Sequence, residues 1–280
     1  MSVGRRCIVC GDLGRPAFER DGVVVVRSPT CGLEWQDPMP DEEALREIYD
    51  EGYFERWGGT DAAAMEEVRA MKRATYSVVF DEIRRFHSGG RLLDVGCALG
   101  FLLELAEELG FEPHGIDRNP EAARFAAARF GDRVRAVEIA PGLFEGALFD
   151  VVTLIDLLEH VTDPARLLGH CRDQLVEGGL LAIVLPNTRS LTRRLLGERW
   201  PHYVGEHLYH WSPYTLRRFL GAQGFDVVSV RTGFRKAFTG RYLATYAARV
   251  GSWVPPGIER LGTLPLRIPT GEMLFTARRN

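Results

Sequence analysis

The chain has no apolar run near the ~20 residues that a membrane-spanning helix needs. The run Val23 to Val26 is too short and sits between Asp21 and Arg27. The opening Met1-Ser2-Val3-Gly4-Arg5-Arg6 lacks the apolar stretch of a signal peptide. An excess of positive charge is missing too. Thirty-five Lys and Arg against 38 Asp and Glu give a net charge of −3, so nothing favours broad attraction to nucleic acid. The arginine pairs Arg193-Arg194 and Arg217-Arg218 read as solvated helix faces. Cysteine is scarce, with five in 280 residues, which fits a reducing cytoplasm better than a disulfide framework. These absences predict a cytoplasmic protein with no membrane span and no nucleic-acid partner. Hydrophobic residues at 45% and charged residues at 26% are ordinary for a globular chain. The length allows one large domain, or a main domain with an appendage.

What is present centres on Leu92-Leu93-Asp94-Val95-Gly96-Cys97-Ala98-Leu99-Gly100 and on Ile116-Asp117. The pattern predicts a buried strand, a turn of small residues, a helix over Phe101 to Leu109, and a second strand ending in an acid. Gly96, Ala98 and Gly100 are small where a ligand must approach the backbone. The free amides and positive dipole end of the following helix favour a polar or anionic group. Asp117 falls where a nucleotide-binding crossover presents an acid to ribose hydroxyls. A dinucleotide fingerprint fails, because Ala98 and Phe101 take its second and third glycine positions. Asp94 would also face a pyrophosphate badly, whereas it suits a cofactor with an ammonium group and no phosphate.

These residues resemble motif I of class I S-adenosylmethionine-dependent methyltransferases, with Ala98 in place of the middle glycine. Further segments resemble the ubiquinone-type and small-molecule group of that family. They are Phe149 to Asp156 with Leu158-Glu159-His160-Val161 and Asp163-Pro164, then Leu175 to Asn187, Gly224-Phe225-Asp226-Val227-Val228, and Met273 to Arg278. The order of strands and helices predicts an α/β fold with right-handed crossovers. The resemblance implies a Rossmann-like, doubly wound sheet of seven strands, six parallel and one antiparallel, with a small N-terminal β-knuckle. It implies S-adenosylmethionine as cofactor. Gly96, Cys97 and Gly100 would meet its methionine part beside Asp94 and Asp156. Asp117 would take the ribose hydroxyls, with Arg118 and Glu138 near the adenine. Cys97 is expected to be a small turn residue rather than a nucleophile.

The N-terminal segment, residues 1–40, carries Cys7-Ile8-Val9-Cys10-Gly11 and then Cys31-Gly32. A zinc ribbon would place another cysteine at position 28, where Ser28 stands. Three ligands, Cys7, Cys10 and Cys31, fall short of the four of a structural zinc site. Zinc binding and a metal-free relic both remain open at this point. Residues 41–90 are expected to form a helical lid, with Tyr49, Tyr53 and Phe54 either closing over the cofactor or simply packing, and a long helix over Ala62 to Phe86. The core is expected over 91–280, with an insertion at about 235–269 and a helix from Tyr242 to Trp253.

Methyl transfer to a hydroxyl requires alignment of the acceptor, exclusion of water and removal of a proton. Candidate groups are His207 and Glu206 in Gly205 to Ser212, and His160 after the fourth core strand. His160 also reads as a structural tie, and Tyr203 and Tyr209 as acceptor contacts or packing. The resulting expectation is methylation of a small molecule, foremost at the oxygen of a sugar, a quinone or a secondary metabolite. Two rivals stand beside it: a catalytically silent S-adenosylmethionine-binding sensor or scaffold, and a nicotinamide-dependent oxidoreductase. Neither the acceptor nor the oligomeric state is written in any motif.

Overall fold

A computed structural model describes residues 4–41, 61–144, 146–250 and 257–280. Tyr49, Tyr53 and Phe54 of the expected lid lie outside the described residues, as does the end of the helix expected to reach Trp253.

The chain begins with an antiparallel meander, β1 (Arg15–Arg20), β2 (Val23–Arg27) and β3 (Glu34–Gln36). The first helix among the described residues, α1, spans Ala62–Ile83 and is capped by the Asp61 side chain. Val68, Met71, Thr75, Val79 and Ile83 recur at helical spacing and form its buried stripe. Strand and helix then alternate: β4 (Gly90–Val95), α2 (Phe101–Glu108), β5 (Phe111–Ile116), α3 (Pro120–Phe130) and the two-residue β6 (Val134–Arg135). They continue with β7 (Phe149–Ile155), α4 (Pro164–Gln174), β8 (Leu175–Pro186) and the short α5 (Leu191–Leu196). The last part holds β9 (Tyr209–His210), α6 (Pro213–Ala222), β10 (Phe225–Phe238), α7 (Gly240–Val250) and β11 (Leu266–Arg279). Helices α3, α4 and α6 each start with proline at the first position behind an Asn119, Asp163 or Ser212 cap, so their entry points are fixed locally.

Seven strands form one sheet in the order β10-β11-β8-β7-β4-β5-β6. β11 runs antiparallel to both neighbours, and the other six strands are parallel. The central strands are almost wholly apolar and buried, as a sheet covered on both faces requires. Order reverses beside β4, so the ends of β4, β5 and β7 open onto one crevice, where such sheets bind ligands.

Two features depart from a simple sequence reading. The β10–β11 hairpin runs past the sheet proper, pairing Lys236 with Ile268 and Phe238 with Leu266. Both ends of the expected insertion are therefore strand. The N-terminal meander also does not stand alone, because β9 adds to its edge and pairs Trp35 with Tyr209 and Glu34 with His210. Trp35, Tyr209 and Trp211 are fully buried in the same apolar cluster as Cys7 and Cys31. Trp35→Ala would cost about 3–5 kcal/mol by removing a ring that this junction closes around.

Candidate active site

The turn after β4 is built from backbone that few side chains tolerate. Gly96 has φ 80°, Ala98 φ 46° and Gly100 φ 77°. At Gly100 an added Cβ would lie 3.0 Å from the Ala126 Cβ, so α3 packs against the turn. Gly100 caps α2 with no side-chain hydrogen bond, which leaves the amides of the first helical turn for a ligand. Cys97 is buried, and burial followed by the nearby Asp94 and Asp117 charges pushes its thiol well up, so it is inert as a nucleophile.

Asp117 is half-buried at the end of β5 and closes the turn. It accepts from the Ala98 amide at 2.8 Å and from the Asn119 amide at 2.8 Å. Burial raises its pKa, while those two amides work in the opposite direction. Arg118 beside it is exposed. Glu138 is exposed in the segment after β6.

Asp94 is buried and accepts from the Thr153 hydroxyl at 2.6 Å. Burial pushes its pKa up to about 7, with Thr153 opposing, Asp117 adding to the rise and Lys72 opposing it. A carboxylate poised in this way is ready for a cationic ligand group, which fits an ammonium better than a phosphate.

Across the crevice, Asp156 follows β7 with φ 54°. Its amide donates to the Val184 carbonyl at 2.9 Å, and its Oδ2 meets the Lys236 Nζ at 2.7 Å. Lys236 also lies 2.5 Å from Glu272 Oε1, so one ammonium joins β7, β10 and β11. Burial works against the charge on Lys236, but Asp156 and Glu272 outweigh it and hold the ammonium well above its ordinary value. Burial likewise opposes ionisation of Asp156, and Lys236 and Lys72 overcome it. Tyr76, on α1 with Lys72, is pushed up by burial and by Asp94 and Asp156, so it stays protonated.

Next to Asp156, His160 and His207 meet ring to ring at 4.6 Å, and His202 stacks on His207 at 5.9 Å. The His207 Nδ1 donates to the His202 carbonyl at 2.8 Å, in keeping with the neutral ring that burial and the other imidazoles impose. Burial also drives the His160 pKa down to about 4. Glu206 precedes His207 and is partly exposed. In the N-terminal sheet, the Cys7 and Cys31 sulfurs lie 3.5 Å apart and the Cys10 Sγ is 3.1 Å from the Ser28 hydroxyl. The serine thus occupies the place of the missing cysteine. The Asp12 carboxylate accepts from Ser28 at 3.3 Å.

The fold brings Asp94, Gly96, Cys97, Gly100 and Asp117 to one turn, and Asp156, His160 and His207 to another. Arg118 and Glu138 stay on the surface. Sequence reasoning missed Lys236, Glu272, Lys72, Tyr76 and Thr153. These lie on a hairpin, a long helix and a mid-strand position with no local motif, and only the β10–β11 register and the course of α1 bring them to the crevice.

A glycine turn on β4, an acid after β5, another acid after β7 and this strand order define the class I methyltransferase arrangement. Residues 70–230 match the methyltransferase domain family, and the chain belongs to that family as an S-adenosylmethionine-dependent methyltransferase. It is 32% identical over 228 residues to a ubiquinone biosynthesis O-methyltransferase of Caulobacter sp. (strain K31), covering 76% of this chain and 84% of that one. A ubiquinone biosynthesis O-methyltransferase of Caulobacter vibrioides is 27% identical over 250 residues, covering 85% and 90%. In fold, the chain is similar to magnesium protoporphyrin IX methyltransferase of Synechocystis PCC 6803, solved with bound S-adenosylhomocysteine. That match has a TM-score of 0.54 at 15% identity and covers 86% of this chain and 100% of the other. The nicotinamide oxidoreductase and the silent sensor are not favoured. No helix among the described residues is long and apolar enough to cross a membrane.

Proposed function

We propose that this chain methylates a hydroxyl oxygen of a small molecule. The observation that carries the reading is the pairing of an ammonium-ready acid, Asp94, with a ribose-ready acid, Asp117, across one glycine turn. The relatives named for O-methylation support the choice of oxygen. Bound S-adenosylmethionine supplies a methyl group already activated by its sulfonium.

On this reading the chain's own residues divide the work. Asp94 faces the ammonium, the first-turn amides of α2 face the carboxylate, and Asp117 faces the ribose. Arg118 and Glu138 border the adenine. Cys97 and the two glycines keep the turn thin. Asp156, fixed by Lys236, separates this half from the acceptor half. His207, with Glu206 and His160, lies on the acceptor side and receives the hydroxyl proton. Only Nε2 of His207 is open to that proton, because Nδ1 is committed to the His202 carbonyl. Burial makes this ring a weak base, so proton removal benefits from a further source of positive charge.

The N-terminal thiols form a separate part of the reading. Cys7, Cys10 and Cys31 bring their sulfurs within 4.8 Å of one another, which suits zinc with Ser28 or Asp12 beside it. Zinc near one equivalent in the purified chain would show that a fourth ligand joins the three cysteines, and zinc-free protein would make the module a metal-free relic. All five cysteines are free, in keeping with a cytoplasmic place. We assign residues 1–40 to this module, 41–90 to the cover of the cofactor crevice and 91–280 to the catalytic core.

The test is a screen of phenol, catechol and sugar acceptors with His207→Ala beside the parent chain. The variant should bind S-adenosylhomocysteine normally and turn over ~10²–10⁴-fold more slowly. Full turnover would remove His207 from the acceptor site. Methylation confined to amine or carbon acceptors would refute the choice of oxygen.

A further inference from the structure

Residues 200–208, the stretch that carries His207, form neither helix nor strand. A loop without a ladder of its own takes its position from whatever satisfies its backbone groups. Here that partner is the N-terminal sheet. Arg20, at the end of β1, donates from Nη1 to the carbonyls of Glu198 and Trp200 at 3.1 and 3.0 Å. Glu34 on β3 accepts from the Tyr203 hydroxyl at 2.5 Å, and Tyr203 in turn accepts from Arg193 Nε at 2.6 Å. The Gln36 backbone amide donates to the Leu208 carbonyl at 3.0 Å, where the loop passes into β9.

The side chain of Gln36 has the firmest hold on the residues around His207. It is 4% exposed, and its Nε2 donates to the carbonyls of Val204, Gly205 and His207 at 3.3, 2.8 and 3.0 Å. Its amide hydrogens are shared among these carbonyls, which therefore converge on one nitrogen. Residues 204–207 form a tight turn around it, closed by the His207 amide, which donates to the Val204 carbonyl at 3.1 Å. The same turn brings the His207 ring back to His202, whose carbonyl accepts from Nδ1 at 2.8 Å. With the proton held on Nδ1, the lone pair of the neutral ring lies on Nε2. Gln36 and Gly205 are 169 residues apart in the chain, so no local motif announces the link.

We propose that Gln36 is a positioning residue for His207, which makes the N-terminal sheet a working part of the acceptor site. This rests on the reading of His207 as the group that receives the hydroxyl proton. Gln36 acts through the loop: it fixes the carbonyls, the carbonyls fix the turn, and the turn fixes the tautomer and aim of the ring. Without its side-chain donor, the carbonyls of a partly buried turn must find water, and the turn opens to reach it. A shift of about 1 Å at a reacting group can slow a reaction ~10²-fold. Proton transfer also depends on which ring nitrogen carries the proton, so loss of the tautomer adds to loss of aim.

Nuclear magnetic resonance of the full chain, with isotope-labelled histidine and glutamine, tests this before any acceptor is known. In the parent chain the Gln36 side-chain amide should exchange slowly with solvent, and His207 should show a single tautomer with its proton on Nδ1. Gln36→Met keeps the length of the side chain and removes the donor. In that variant the His207 ring should average between tautomers, while binding of S-adenosylhomocysteine stays unchanged. On any phenol, catechol or sugar that the parent methylates, kcat should fall ~10–10²-fold with KM little changed. In a His207→Ala background the same substitution should slow turnover no further, because its effect passes through that ring. A merely structural glutamine would slow both backgrounds alike and leave the tautomer as it was. A fast-exchanging Gln36 amide in the parent, which needs no variant, or an unchanged His207 tautomer in folded Gln36→Met would overturn the proposal. Full turnover in His207→Ala would overturn the reading of His207 itself, and with it the purpose given to Gln36, whatever the tautomer.

Discussion

Asp94 should make cofactor binding depend on pH in a way that Asp94→Asn abolishes. Burial holds this acid at about 7, against an ordinary value of 3.8. An ammonium placed beside it binds the ionised form. At pH 6 only about one molecule in eleven carries that form, so affinity should fall roughly tenfold from its value above pH 7, or about 1.4 kcal/mol per further unit. The ligand's own amino group loses its proton only at more alkaline pH, which bounds the profile on that side. Isothermal titration of S-adenosylhomocysteine from pH 5.5 to 8.5 reads this directly. The parent chain should show an acid limb, and Asp94→Asn should bind more weakly at pH 7.5 with that limb gone. The same acid acts on stability with the opposite sense. Its folded pKa exceeds the unfolded one, so the ligand-free fold binds the extra proton between about pH 4 and 7. Stability from this group is greatest at the acid end, falls as pH rises through that window, and levels off above it. A flat binding profile in the parent chain, or an acid limb that persists in Asp94→Asn, would refute the reasoning.

Asp117→Ala should weaken S-adenosylhomocysteine binding by about 1–3 kcal/mol, and unchanged affinity would remove the ribose contact. Lys236→Met leaves Asp156 and the buried Glu272 without their shared cation. It should cost about 3 kcal/mol in urea unfolding, at the lower end for a broken buried pair because Asp156 is partly exposed. Gly100→Ala places a Cβ on a left-handed residue against Ala126, so both the melting temperature and cofactor affinity should drop. Neutral behaviour there would mean that the turn relaxes more easily than its packing indicates.

The core was legible because its signals are local. Leu92 to Gly100 states strand, turn and helix within nine residues, and Asn119-Pro120, Asp163-Pro164 and Ser212-Pro213 each start a helix on their own. The antiparallel last strand was implied by the resemblance of Met273 to Arg278 to the family's final strand, and the pairing of β11 with β8 and β10 agrees. What could not be read was every feature made by pairing across long stretches. Nothing near Tyr209 says that it will extend a sheet begun at Arg15. Lys236 looks like one more cation in an insertion until the register of β10 and β11 sets it between Asp156 and Glu272. The histidines were visible singly, but their mutual contact depends on the β9 segment folding back over the loop after β7. Burial then reverses the simplest reading of His207, since the environment that neutralises the ring also weakens it as a base.

The central claim is that the turn from Gly96 to Gly100, closed by Asp117, holds S-adenosylmethionine. The most direct measurement is isothermal titration of the full chain with S-adenosylhomocysteine, with NADH as the control. The account predicts one site per chain of micromolar affinity for the first and no heat of binding for the second. Saturable binding of NADH with none of S-adenosylhomocysteine would contradict it.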